Sequence, residues 1–391
     1  MKQLFTSQKN IIYLNSGSLS LTPLQTIKAV QKFEEEYENN PTAHLFRSWL
    51  DLWEVQKKVA SHFQADPKQF FFRSNVTQPL NEFILGAPLP PGSEILTTNQ
   101  EYGAIFNICQ YRVQTDGLKL RTVEFPKKIE FQNLTEKSLI DLIVSAFRPE
   151  TKMLVLSHIY TGHGLILPIF EICKEARKRG ITTIIDGAHT PGAFPLDFRQ
   201  FSDVDYFAGN LHKWWMGPKG TAFGWVNPLR NNDLKPLQAG WTTFESYPPF
   251  NELAEGSRFA QKMFMLGCQN FSPFYALEET LNFWESQKTE NILGRLKTLG
   301  HHLVSEMNRA DFSRFGANDL RLHGPLYTFE IPLKLQNRPY HELMLKILNE
   351  TQVQVAIVIL EEKLHLRLAP HIYNTKEEIT GAVSRLKQFF R

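Results

Sequence analysis

Between Phe70 and Val226 short β-rich runs alternate with longer helical patterns, and no other feature restricts the fold as much. The β-rich runs are FFFRS (Phe70–Ser74), EILTT (Glu94–Thr98), LRTVEF (Leu120–Phe125), KMLVLSHI (Lys152–Ile159), ITTIID (Ile181–Asp186), DYFAG (Asp205–Gly209) and TAFGWV (Thr221–Val226). Helical patterns are predicted from Thr77, from Tyr102, over Asn133–Phe147 and over Leu167–Gly180. Thr135 and Ser138 do not spell a capping box, which leaves Asn133 as the candidate cap of the third. Alternation on this scale predicts an α/β fold whose large domain has a mostly parallel seven-stranded sheet covered by helices.

At 391 residues the chain suits two domains. The segment Arg230–Gln261 is rich in Asn, Pro and aromatics. It is expected to be an irregular loop, with Trp241–Phe250 shaping a substrate pocket. A helical pattern from Ser272 to about Met307 leads into a smaller α+β domain. Its strands are predicted near Leu326–Ile331, Gln354–Ile359 and Leu364–Leu368, with a closing helix from Lys376. The expected organisation is an N-terminal segment (1–20), a large domain (21–270) and a small C-terminal domain (271–391). A charge balance of 43 basic against 40 acidic residues gives no reason to expect nucleic acid or an anionic membrane as partner. Cys109, Cys173 and Cys268 form no CxxC, which argues against a disulfide framework or a zinc site. The polar opening MKQLFTSQKN does not read as a signal peptide, and no apolar run has the length of a membrane span. A cytoplasmic protein is expected.

Two of the predicted strands end in chemistry. ITTIID ends in Asp186, and DYFAG leads through Asn210 into His212 and Lys213. A carboxylate at the end of a buried strand needs a partner, and the choices are a helix N-terminus that it caps or a cation. Lys213 lies between His212 and Trp214–Trp215, where desolvation would lower its pKa toward the nucleophilic amine. Its rivals are a snorkelling lysine and Lys219 in the GPKG turn. A lysine and an acid at successive strand ends have the layout of a pyridoxal-phosphate site. The amine condenses with the cofactor aldehyde, and the acid holds a proton on the pyridine nitrogen so that the ring accepts electrons. NVTQPLN (Asn75–Asn81) follows a strand and opens a helix, so Asn75 and Thr77 are candidates for the phosphate cradle. Asn210 and His212 are candidate phosphate donors, and His189 is a candidate donor to the phenolic oxygen. Tyr102 is a candidate ring stacker. Arg367 is a candidate clamp for a substrate carboxylate. His158, His163, His189 and His212 come without a carboxylate cluster, and no metal is expected.

With these motifs the chain resembles the class V aminotransferase family of fold-type I pyridoxal-phosphate enzymes, in its isopenicillin N epimerase-like and cysteine desulfurase-like branch. YLNSGSLSLTP (Tyr13–Pro23), NVT, EYGA, SHIYTGHGLILP (Ser157–Pro168), DGAHTPG, GNLHKW and RLAPHIYNTKEEI stand in the family's order. The resemblance implies Lys213 as the Schiff-base lysine and Asp186 as the pyridinium partner. It places His189 near the phenolic oxygen and Tyr102 on the ring. It places Val76, Thr77, Asn210 and His212 around the phosphate, and Arg367 and Asn15 toward the substrate. It also implies a homodimer with shared active sites. Two departures stand out. Gly267-Cys268 replaces a Gly-Thr whose threonine reaches the partner's phosphate. Val353–Leu366 lacks the cysteine that a desulfurase needs. The resemblance implies chemistry on an amino-acid-like substrate through a Cα carbanion, with epimerisation expected. A C–S lyase or other β-elimination is the alternative, ahead of transamination. A pyridoxal-phosphate-binding regulatory module is the non-enzymatic alternative.

Overall fold

The computed structural model describes residues 1–6, 10–230, 233–244 and 256–391. In chain order come β1 (Ile12–Tyr13), α1 (Leu24–Asn39), α2 (Pro41–His62), β2 (Phe70–Arg73), α3 (Thr77–Gly86) and β3 (Glu94–Thr98). Next are α4 (Gly103–Asp116), β4 (Lys119–Val123), α5 (Lys128–Phe131), α6 (Glu136–Val144), β5 (Thr151–Ser157), α7 (Ile169–Lys178) and β6 (Thr182–Gly187). Then follow β7 (Tyr206–Asn210), β8 (Ala222–Val226), α8 (Arg258–Phe264), α9 (Ser272–Tyr275), α10 (Leu277–Gln287) and α11 (Thr289–Arg309). The chain ends with β9 (Arg314–Phe315), β10 (Tyr327–Glu330), α12 (Tyr340–Thr351), β11 (Val353–Gln354), β12 (Ala356–Leu360), β13 (Lys363–Leu368) and α13 (Lys376–Phe390).

The expected seven-stranded sheet is present, in the order β2-β8-β7-β6-β5-β3-β4. The pairs from β7 to β4 are parallel, whereas β8 runs antiparallel to both β7 and β2. The reversal has a simple cause. Only one loop joins β7 to β8, and a parallel neighbour would require a crossover. That loop carries Lys213. The central strands are buried on both faces and read as apolar runs. Phenylalanines fill much of the space between layers. Phe70, Phe71, Phe72, Phe83, Phe207 and Phe223 are fully buried, and Phe70 stacks on Phe223 at 4.3 Å.

In the C-terminal part the three expected strands appear as β10, β12 and β13, in a four-stranded antiparallel sheet of order β12-β13-β10-β9 that adds β9. A second apolar cluster runs from Leu299 on α11 to Phe390 and takes in Leu14 from the N-terminal segment. That segment crosses between the two cores. β1 pairs with β11, Ala369 N–H donates to Leu14 O at 2.7 Å, and Ser20 N–H donates to His212 O at 3.3 Å.

Several local expectations need correction. Thr135 and Ser138 do form a reciprocal capping box. Ser138 Oγ accepts from Thr135 N–H at 2.8 Å, and Thr135 Oγ1 accepts from Ser138 N–H at 3.1 Å. A serine hydroxyl therefore replaces the usual Glu or Gln, Thr135 rather than Asn133 is the cap, and the helix is shorter than Asn133–Phe147. The pattern Ser272–Met307 is three helices. Breaks fall at Ala276 and at Lys288, whose φ of 62° lies outside the helical region. In the expected loop Arg230–Gln261, α8 already begins at Arg258. Residues 245–250 of the aromatic stretch Trp241–Phe250 lie outside the described residues.

Candidate active site

Parallel α/β sheets place ligands beyond the C-terminal ends of their strands. Here β5, β6 and β7 end side by side at Ser157, Asp186–Gly187 and Gly209–Asn210. A cavity of about 270 Å³ opens over these ends. Its walls include Asn75, Val76, Thr77, Tyr102, Asp186, His189, Asn210, His212, Lys213 and Arg367. Ten of the eleven residues expected at the site therefore share one cavity. The exception is Asn15, which lies behind the wall. Its Oδ1 accepts from Ser18 Oγ at 2.9 Å and from Arg367 Nη2 at 3.4 Å, so it orients the arginine.

Asp186 is buried, and its Oδ1 accepts from Ala188 N–H at 2.7 Å. Burial raises its pKa to about 6, against the lowering effects of the Ala188 hydrogen bond and the Lys213 charge. Burial lowers Lys213 to about 8; the Asp186 charge opposes this, and the Arg367 charge adds to it. The cavity thus holds an amine that is substantially unprotonated near pH 8 and an acid that is ionised above about pH 6.

His189 is fixed by Trp214, which the sequence marked only as a neighbour that desolvates Lys213. Trp214 Nε1–H donates to His189 Nδ1 at 3.1 Å. An indole nitrogen only donates, so Nδ1 must be the unprotonated nitrogen. Burial, with the Lys213 and Arg367 charges, holds the ring pKa well below its ordinary value, so the imidazole is neutral. Its single proton is therefore on Nε2, which faces Lys213 Nζ at 3.4 Å. Gly192 makes the fold of this corner feasible. Its φ is +82°, and a Cβ there would lie 2.4 Å from the Trp214 carbonyl carbon.

At the other end of the cavity α3 begins without a side-chain cap. Its first N–H groups have no intrahelical acceptor and suit an anion. Val76 N–H is already committed to Asn210 Oδ1 at 3.0 Å, so that pair contributes the Asn210 amide and the direction of the helix. Tyr102 is the N-cap residue of α4 and stands at the rim, 56% exposed. Arg367, near the end of β13, is buried. Its Nη1 donates to Thr161 O and Oγ1 at 2.9 Å, and its Nη2 donates to Ser18 Oγ at 3.0 Å. Among the described residues no carboxylate pairs with it.

Whether these residues fit pyridoxal phosphate can be tested on the unpaired polar atoms. His212 Nδ1 and Arg367 Nε are buried without hydrogen-bond partners, and native interiors seldom leave such atoms unmatched. Both residues line the cavity that also holds the start of α3 and Lys213, where a phosphate and a substrate carboxylate would complete them. Of the four histidines weighed as metal ligands, His189 and His212 line the cavity, and His158 and His163 do not. His158 Nδ1 pairs with Thr190 at 3.0 Å, and His163 Nε2 pairs with Gln100 at 3.2 Å. Ser18, Ser157, Ile159, Thr161 and Ala188 also line the cavity. They fall within motifs that the sequence analysis quoted, YLNSGSLSLTP, SHIYTGHGLILP and DGAHTPG, without being given roles there.

Fold and site together define a fold-type I pyridoxal-phosphate enzyme. The chain belongs to the aminotransferase class-V family, whose model matches residues 12–380. It is 28% identical over 377 residues to isopenicillin N epimerase of Streptomyces clavuligerus, covering 94% of this chain and 92% of that one. It is 24% identical over 387 residues to a probable cysteine desulfurase of Methanothermobacter thermautotrophicus, with coverage of 94% and 92%. Among solved structures, a complex of the cystine C–S lyase C-DES with cysteine persulfide superposes with a TM-score of 0.84. The identity there is 21%, and 97% of this chain and 98% of that chain are covered.

Proposed function

We propose that this enzyme acts on an amino acid, or a compound carrying an amino-acid head, by exchanging the proton at its α-carbon, with epimerisation as the outcome. The carrying observation is that Arg367 is buried and without a carboxylate partner among the described residues, in the same cavity as Lys213. A buried guanidinium needs an anion, and a substrate carboxylate is the planar one that it matches. When bound, pyridoxal phosphate supplies a ring that accepts the electrons of the broken C–H bond. Asn75, Thr77, Asn210 and His212 would hold its phosphate, Tyr102 would cover its ring, and Asp186 would keep its nitrogen protonated. His189 presents Nε2–H as a donor toward the cavity. Lys213 Nζ, neutral above about pH 8, takes the α-proton on its own side. Return of a proton on the opposite side inverts the centre, and the Tyr102 hydroxyl is the candidate donor there.

The full-length likeness to isopenicillin N epimerase supports epimerisation. A second reading, C–S bond cleavage, draws support from the cysteines. Cys109 and Cys173 are buried and Cys268 is exposed, and none lines the cavity, so sulfur transfer to an enzyme thiol is disfavoured while elimination remains feasible. Incubation of amino acids in deuterated water separates the two. Deuterium at an inverted α-carbon supports epimerisation, and release of pyruvate or sulfide supports the lyase.

A homodimer belongs to the same proposal. Tyr102, Phe106 and Tyr111 are exposed along α4. A cavity of about 670 Å³ beside Asn75 and Thr77, lined also by Gly267 and Cys268, is where a second copy would reach the phosphate end. Sedimentation of the purified protein tests it; a monomer at micromolar concentration would remove it.

A further inference from the structure

A second, half-buried acid holds a residue of the cavity wall, Ser157, and the chemistry assigned above does not use it. Glu101 stands between the end of β3 and Tyr102. β3 and β5 pair in parallel from Glu94–Thr151 to Leu96–Leu154, and there the backbone pairing ends. Side chains continue it. Thr97 Oγ1 donates to Val155 O at 2.9 Å. Farther on, the Glu101 carboxyl accepts from Ser157 N–H at 3.2 and 3.1 Å, from Ser157 Oγ, and from Thr98 Oγ1 at 3.1 Å. Ser157 is the last residue of β5, the register partner of Asp186 and part of the cavity wall. We propose that Glu101 is a positioning residue: its carboxyl bridges the gap where β3 and β5 diverge, and so fixes both the strand end beside Asp186 and the turn that carries Tyr102.

The inference rests on the site reading only for what Asp186 and Tyr102 do; the bridge itself is independent of the cofactor. Without it the Ser157 N–H would be a buried donor at a sheet opening, which costs about 1–3 kcal/mol. The titratable groups that face Glu101 are Asp186 on β6, Tyr160 after β5 and Cys109 on α4. Burial raises Glu101 to about 8, and the Asp186 charge adds to the rise, so the carboxyl is neutral at pH 7. A neutral carboxyl accepts from Ser157 N–H on one oxygen and donates its own proton to a neighbouring hydroxyl from the other, without placing a second negative charge beside Asp186. Above pH 8 that charge is present and opposes the ionised form of Asp186.

Glu101→Gln keeps the shape and one acceptor oxygen and stays neutral; Glu101→Ala removes the bridge. Hydrogen exchange of the Ser157 segment, followed by mass spectrometry on protein with and without cofactor, reads the bridge directly. Exchange in the Ala variant is expected to be at least about tenfold faster, with Gln close to the parent. In the holoenzyme, the Ala variant is expected to lose kcat with little change in KM. Gln should restore kcat at pH 7 and abolish the change in cofactor absorbance near pH 8. Unchanged exchange in the Ala variant overturns the bridge, and a pH 8 transition that persists in the Gln variant overturns the coupling to Asp186. If the parent protein binds no cofactor, the site reading fails, while the exchange measurement still decides the bridge.

Discussion

Lys213 and Lys219 sit on the same loop between β7 and β8, and both stood as candidates for the reactive amine. The first half of the loop turns into the sheet. Lys213 lies there in a cavity with Asp186 at one side and His189 Nε2 at 3.4 Å. The second half faces the N-terminal segment. The Lys219 side chain leaves the loop at the surface, but its amine turns inward and donates to Ser20 O and to Thr22 Oγ1, the latter at 2.7 Å. Thr22 Oγ1 in turn donates to Gly217 O at 3.0 Å. One lysine has an acid within electrostatic reach and room for a ligand; the other has carbonyl and hydroxyl acceptors and no such room. A lysine becomes a nucleophile through the walls around it, and the same motif also supplies a strap that holds residues 20–22 across the site.

The hardest test of that contrast is substitution of each lysine. Lys213→Ala is expected to abolish the borohydride-stabilised cofactor adduct and to lower kcat about 10²–10⁴-fold, while Lys219→Ala retains the adduct, as peptide mass mapping would show. An adduct on Lys219 would reverse the assignment. Asp186→Asn removes the charge proposed to hold the ring proton and is expected to lower kcat about 10²–10³-fold, with the borohydride-stabilised adduct on Lys213 retained. Arg367→Met should raise the KM for an amino-acid substrate about 10–100-fold and leave the adduct intact, because a charge-assisted pair contributes about 1.5–3 kcal/mol.

Burial lowers both lysines to about 8, so pH does not tell them apart; what differs is that only Lys213 has the Asp186 charge opposing the shift. Lys213 has a pKa lowered in the folded protein, so its neutral fraction rises with pH through a midpoint at about 8 and levels off only above it. The rate of cofactor loading onto stripped protein should follow that curve; an ordinary lysine would still be rising at pH 10. Asp186→Asn removes a charge that raises the Lys213 pKa and should move the inflection to lower pH. The smallest effect is expected for Lys219→Met, a loss of about 1 kcal/mol of stability, read as a drop of a few degrees in Tm with kcat unchanged.

The seven β-rich runs, the acid at the end of one and the lysine after the next were legible because each is a local pattern. Apolar runs of strand length report burial, and a charge at their end reports a strand terminus. The helices α1 and α2 were not read, although Trp49, Leu52, Trp53, Val55 and Val59 on α2 are buried. Trp214 was seen only as a neighbour that desolvates Lys213. Its donation to His189 depends on how two loops meet, and spacing along the chain does not encode that. Asn15 was expected toward the substrate; it lies behind the cavity wall and supports Arg367, since the small sheet and the N-terminal segment meet only in three dimensions.

What the sequence determined by itself is the class of chemistry. Strand periodicity of 2, helical periodicity of 3.6 and residue type at the strand ends are short-range properties, and they suffice to pair an amine with an acid. The tertiary structure alone decided which lysine has the acid within reach, which nitrogen of His189 carries the proton, and that Glu101 closes the opening between β3 and β5. Those outcomes depend on distances between side chains far apart in the chain and on the burial they share. Burial is what moves a pKa and what makes an unmatched donor costly.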